Sequence, residues 1–331
     1  MQIYLYASCR NLKLIPMNQQ RIRLILPIAI VVALLAVSTA SIFIRFAQRD
    51  APSLVIAALR LVFAVLLLAP LALTRYRAEI RRMTRLELGL AFISGMFLSA
   101  HFATWITSLE YTSIANSVVL VTTGPLWVAL LAPVLLKEHL QRASIFGLAL
   151  ALLGGTIIGL SDACVVDNGI KCQALAESLK GRVMWGNFLA LAGAWSVSIY
   201  LIIGRKLRAG MSLIPYIFVV YGFAALGLTA IMLAAGETPF HYPPPTYLWI
   251  LLLAVFPQLI GHSTYNWALR YLPAAFVAVL SLGEPIGSAI LAYVIFNEAP
   301  GSATLTGGVL ILVGIYLASR TNAVREEPAG L

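Results

Sequence analysis

The chain has 331 residues, of which 60% are hydrophobic and only 11% charged, with a formal net charge of +10. Mean hydropathy is +0.90. A water-soluble domain carries about 25% charged residues and about half apolar ones, so composition excludes an ordinary soluble fold and points to a lipid surrounding.

At the start, "MQIYLYASCRNLKLIP" has no basic leader, no long apolar core and no small-residue cleavage site, so it does not read as a signal peptide. Met17 followed by "NQQRIR" makes an ordinary start, and residues 1–16 are expected to be disordered or an overlong gene start. Residues 1–20 form the N-terminal tail. From there, apolar runs follow one another at 24–47, 54–74, 88–109, 113–136 and 143–161, then at 184–204, 213–235, 247–269, 274–296 and 303–319. A helix crosses a hydrocarbon core of about 30 Å with about 20 such residues. Short connectors and the lack of a two-residue alternation exclude a membrane barrel. The expected fold is an all-α integral membrane protein with ten transmembrane helices.

Charge position gives orientation. With both termini cytoplasmic, 17 of the 23 basic residues fall on the inner side, among them the cluster Arg75, Arg77, Arg81, Arg82 and Arg85 and the group Arg205, Lys206 and Arg208. The outer segments hold Arg49, Lys171, Lys180 and Arg182 against seven acids. This is the positive-inside pattern of a cell membrane protein, plasma or inner. The basic balance therefore reports topology, and no nucleic-acid partner is needed to explain it.

A shift of 160 residues lays the second half on the first. Over 104–154 against 264–314 there are 17 identities in 51 ungapped positions, including Pro125 on Pro285 and Glu138 on Glu298. Gly147 and Gly154 land on Gly307 and Gly314. Composition alone would give about five. Five spans per copy is an odd number, so the second copy is expected upside down, and the charges agree: Glu110 outside in the first copy answers to Arg270 inside in the second. The expected divisions are a first five-helix repeat at 21–161, an external loop at 162–183, a second repeat at 184–320 and a cytoplasmic tail at 321–331. Inverted repeats of this kind build many secondary transporters, with the solute bound near mid-membrane between the copies.

"LEYTSIANSVVLVTTGPLWVALLAPVLLKEHL" and "LRYLPAAFVAVLSLGEPIGSAILAYVIFNEAP", each followed by a glycine-punctuated helix, resemble the two EamA-type domains of the drug/metabolite transporter superfamily. "AVSTASIFIRFA" and "GAWSVSIYLIIGRKL" resemble the openings of those domains. The resemblance covers roughly residues 21 to 320. It implies a ten-helix carrier of small metabolites, often an exporter, with a central cavity lined by both halves.

Candidate cavity residues come from polar groups on apolar spans. Glu284 lies ten residues into the ninth span, where a charge on a lone helix costs about 3 kcal/mol or more. Ser281, Glu284 and Ser288 share one face, and Pro285 favours a kink. Glu284 reads either as a proton-exchanging or amine-binding carboxylate, or as a hydrogen-bonded pin for the kink. His101 with Trp105, and His262 with Tyr265 and Asn266, pair an aromatic with a polar group on one helix face. Such faces suit a small amphipathic ligand, or else interhelical packing. Asn116, Thr123 and Trp127 share a face of the fourth span, Ser38, Ser41 and Arg45 one of the first, and Trp195 and Ser198 one of the sixth. Arg60, inside the second span, pairs with a carbonyl or an acid, or else serves the cavity.

No H-E-x-x-H, G-x-S-x-G or P-loop occurs, and no Cys/His cluster has metal spacing. No catalytic residue, metal or cofactor is therefore expected. A membrane-embedded enzyme acting on lipid headgroups would have only His101, His262 and Glu284 to work with, and a non-transporting scaffold would need no cavity at all. Cys164 and Cys172 lie eight residues apart in the external loop, where an oxidising compartment permits a disulfide. The expected partners are a small-molecule solute, membrane lipid and a coupling proton. Oligomeric state is not legible.

Overall fold

The computed structural model describes residues 19–112, 117, 120–137, 142–160, 165–166, 170–171, 181–296 and 302–321. Asn116, Cys164 and Cys172 lie outside them. The first half contains α1 (Gln19–Ser38), α2 (Ala40–Ala47), α3 (Ser53–Thr74), α4 (Arg77–Arg81), α5 (Arg85–Ser108), α6 (Gly124–Leu135) and α7 (Arg142–Leu160). A two-residue ladder follows, β1 (Val165–Val166) antiparallel to β2 (Ile170–Lys171). The second half contains α8 (Gly181–Arg208), α9 (Leu213–Ala234), α10 (Pro244–Leu253), a π-helix over Ala254–His262, α11 (Ser263–Ala268), α12 (Ala274–Ser281), α13 (Glu284–Phe296) and α14 (Ser302–Thr321).

Among the described residues, seven helical stretches are long and apolar enough to cross a membrane: Leu24–Ala47, Ser53–Thr74, Arg85–Ser108, Gly181–Arg208, Leu213–Ala234, Pro244–Ala268 and Ala274–Ile295. Shorter apolar helices, Gly124–Leu135, Arg142–Ile157 and Leu305–Leu317, stand where the fourth, fifth and tenth spans are expected. Large apolar side chains such as Leu24, Ile28, Leu66, Val134, Leu226 and Val294 are more than half exposed. Polar groups such as Arg60, Ser94, Ser198, Gln258 and Asn266 are buried. Lipid replaces water as the outer solvent, so the usual inside-out sorting of side chains is relaxed.

Helix ends are fixed by local and borrowed caps. Thr84 and Glu87 form a reciprocal capping box at the start of α5, with Glu87 Oε2 accepting from the Thr84 N–H at 2.8 Å. Glu110 Oε1 accepts from the Ser53 N–H at the start of α3, and Glu79 Oε1 from the Ser212 N–H before α9. Each carboxylate meets the positive end of a helix in another part of the chain.

The packing is unchanged when the halves are exchanged. Helix α5 lies on α8, and its repeat equivalents, α10 and the π-helix, lie on α2 and α1. Helix α3 lies on its own equivalent α9, and α6 lies near α12, the helix just before its equivalent α13. The contact of α7 with α14 is the most telling. Gly154 stands against the backbone carbonyl of Gly307, and Gly314 against that of Gly147. The 160-residue shift turns one of these contacts into the other. The early part of each helix meets the late part of its partner, so the pair is antiparallel. Small residues permit this approach, as they do generally between helices in lipid.

Candidate functional site

Two helices break at equivalent places. The fourth span turns at Thr122–Thr123 and the ninth at Leu282–Gly283. The turns share their hydrogen bonds: the Thr123 N–H donates to Leu120 O and the Leu126 N–H to Thr123 O, as the Gly283 N–H does to Leu280 O and the Ile286 N–H to Gly283 O. Helix resumes at Gly124-Pro125 and at Glu284-Pro285. A proline in the first turn lacks an N–H that would have no partner there, so it favours a fresh start over a continuous helix.

Each break is held by a serine from the other half. Ser38 Oγ donates to Leu34 O at 2.7 Å, shared with Glu284 O at 3.2 Å. Ser198 Oγ donates to Ala194 O at 2.7 Å, shared with Gly124 O at 3.0 Å. These four bonds interconvert under the 160-residue shift.

Between the breaks lies a cavity of about 80 Å³, bordered by both halves. The first contributes Val37, Ala40, Arg60, His101, Trp105, Val121, Thr122, Gly124 and Pro125. The second contributes Val197, Leu201, Pro257, His262, Tyr265, Val277, Ala278, Ser281 and Glu284. Several are repeat equivalents, such as Val37 with Val197 and Trp105 with Tyr265. The ionisable groups are not: Arg60, His101, His262 and Glu284 answer to Val220, Gly261, Phe102 and Gly124. A symmetric scaffold thus carries an asymmetric chemistry.

Arg60 is fully buried. Its Nε donates to Gln258 Oε1 at 3.0 Å, and its guanidinium lies over the Phe102 ring at 4.2 Å. Gln258 comes from the π-helix around Pro257, a local widening that often marks functional sites. His101 Nδ1 sits 2.9 Å from Gly193 O. A carbonyl only accepts, so Nδ1 carries the proton and Nε2 is left as an acceptor. The His101 ring stacks on Trp105, and His262 meets Phe102 and Tyr265 edge-on. The Glu284 carboxylate makes no hydrogen bond or ion pair among the described residues; the contact that anchors this turn to α1 is made by its main-chain oxygen.

Of the residues singled out from sequence, His101, Trp105, His262, Tyr265, Ser281 and Glu284 come together at the cavity. Asn266 does not. It is fully buried and its Nδ2 donates to Tyr200 Oη at 2.5 Å and Tyr221 Oη at 3.2 Å. Thr123 turns away as well, donating to Leu120 O and accepting from Trp127 Nε1, while its neighbour Thr122 borders the cavity. Trp195 is 38% exposed and packs edge-on against Trp127. It stands two residues from Val197, about 200° round the helix. The residue whose place sequence left undecided is Arg60; a lone cation within an apolar span was the signal for it.

Residues 24–160 and 184–320 each match the EamA-like transporter family. The chain belongs to that family. Among EamA relatives, an uncharacterized transporter of Archaeoglobus fulgidus is 24% identical over 292 residues, covering 88% of this chain and 95% of its own. The pseudopaline exporter CntI of Pseudomonas aeruginosa is 25% identical over 240 residues, covering 72% of this chain and 78% of its own. A solved crystal structure superposes with a TM-score of 0.70 at 20% identity, over 89% of this chain and 96% of the other, which shows a shared fold.

Proposed function

We propose that this EamA protein is a secondary carrier that exports small metabolites such as amino acids, by alternating access between two inverted five-helix repeats of ten spans in all. The observation that carries the reading is the cavity between two helix breaks, each held by a serine from the opposite half. Interrupted spans at the repeat interface are how many carriers build a mid-membrane solute site. The exchange of the glycine contacts between α7 and α14 supports the inverted relation. At about 80 Å³ the cavity is smaller than the roughly 300 Å³ at which drug-sized pockets begin, which fits a small solute. The relatives' names are those of transporters, one of them an exporter. Glu284, whose carboxylate has no partner among the described residues, is the group that exchanges the coupling proton.

Purified protein in liposomes, screened over a panel of labelled metabolites with and without a pH gradient, tests this. At least one solute should accumulate faster than in empty liposomes, and more steeply with the gradient. No movement of any solute would remove the carrier reading. Orientation has its own test, since the charge pattern supports a topology with both termini inside. Single cysteines at Arg81 and Lys206 should react with membrane-impermeant reagent only after the membrane is opened, and one at His241 in intact cells. Labelling of Arg81 and His241 from the same side would overturn the inverted topology.

A further inference from the structure

Four buried atoms around the cavity stand ready to donate, set against the carboxylate of Glu284. Arg60 Nη1 and Nη2, Trp105 Nε1 and Tyr265 Oη are all buried and have no hydrogen-bond partner among the described residues. Arg60, Trp105 and Tyr265 all border the same cavity. Three of the four atoms can only donate, and the tyrosine hydroxyl donates as readily as it accepts. A purely structural arginine spends its fork on backbone carbonyls, as the buried Arg208 does, donating from Nε to Asn266 O and from the outer Nη1 to Met211 O. Arg60 instead is held at Nε by Gln258 and at its face by Phe102, which leaves the outer edge of the fork free. Leaving such a buried cation unanswered is costly. No ion pair links it to Glu284 among the described residues, although both border the cavity. The N-terminus of the twelve-residue α6 also opens there at Gly124, adding the positive end of a helix.

We propose that Arg60, with Trp105 Nε1–H and Tyr265 O–H, forms the receptor for a carboxylate group of the solute. The planar fork of a guanidinium matches the two oxygens of a carboxylate. The cavity, of about 80 Å³, admits a group of that size. The two further donors lie on equivalent positions of the two halves, so the group is gripped from both repeats. Glu284, bordering the same cavity, favours a solute that also carries an amine. That the occupant is transported rests on the carrier reading; that it is bound here does not.

The test is equilibrium binding to the full-length protein in detergent, read by thermal unfolding and tryptophan fluorescence. The probes are the common L-amino acids and short-chain monocarboxylates, each beside its carboxamide, which keeps the shape and removes the charge. At least one acid should bind about 100-fold more tightly than its amide, the worth of two charge-assisted hydrogen bonds. Arg60→Gln should bring acid and amide together, and Arg60→Lys should fall between, because it keeps the charge and loses the fork. Tyr265→Phe and Trp105→Phe should each weaken the acid about 10-fold while affecting the amide less; Tyr265→Phe should leave the unfolding temperature of the free protein nearly unchanged, since its hydroxyl has no partner to lose among the described residues, whereas Trp105→Phe also gives up packing against His101. These two variants decide the matter even where Arg60→Gln does not fold. The assignment is overturned if every acid binds no better than its amide, or if Tyr265→Phe and Trp105→Phe keep full affinity for the acid. A protein that binds acids but moves no solute removes the carrier reading and leaves this one. A protein that moves neutral solutes and ignores acids does the reverse.

Discussion

Gly154→Ala is expected to destabilise the protein by about 1–3 kcal/mol, the usual cost of forcing atoms into a closed contact, and Gly154→Leu to prevent α7 and α14 from seating together. A β-carbon at position 154 would be driven into the backbone carbonyl of Gly307, and backbone cannot step aside as a flexible side chain does. The symmetry of the contact makes the prediction sharper. Gly314→Ala meets the carbonyl of Gly147 and the main chain of Ala151 in the same way, and should cost a similar amount. Gly155 is the control, because a β-carbon there meets nothing within 4 Å. Gly155→Ala should be neutral, or stabilising by up to about 1 kcal/mol through helix propensity. Thermal unfolding followed by fluorescence-detected size exclusion measures all three. Equal stability of the 154 and 155 variants would show that the helices do not meet as described.

The second large effect concerns Glu284. Glu284→Gln keeps the size of the side chain and deletes its titration. Under the coupling proposal this variant folds, still exchanges solute across the liposome membrane, and loses the extra accumulation that a pH gradient drives. Gradient-driven accumulation that persists unchanged would eliminate Glu284 as the proton carrier. Sequence left open a second role, in which the carboxylate pins the kink. The geometry separates the two roles. Ser38 is anchored to the main-chain oxygen of residue 284, and that bond survives any side chain placed there. Glu284→Ala should therefore shift stability by less than about 1 kcal/mol, the worth of an ordinary hydrogen bond. A much larger loss would restore the structural role.

How much of this was legible beforehand depends on the range of the physics involved. Hydropathy, charge segregation and the 160-residue repeat are properties of the chain itself, so the membrane class, the family resemblance and the helical runs could be read directly. Pro285 marked a broken span for the same reason: a missing N–H acts on its own helix. The face a side chain presents was less accessible, because it depends on what stands opposite. Asn266 shares a helix with Tyr265, yet only the placement of Tyr200 and Tyr221 sends one to a hydrogen-bond network and the other to the cavity. Thr122 and Thr123 differ by one residue and part ways at a turn whose geometry ordinary helical spacing does not describe. Arg60 was visible as a charge in lipid, but its free edge follows from Gln258, 198 positions away, brought to it by the fold. Sequence by itself determined that two like halves cross a membrane and that a few polar groups lie within them. The tertiary structure decided which of those groups are spent on one another and which are left facing the cavity, because that outcome depends on contacts between distant parts of the chain.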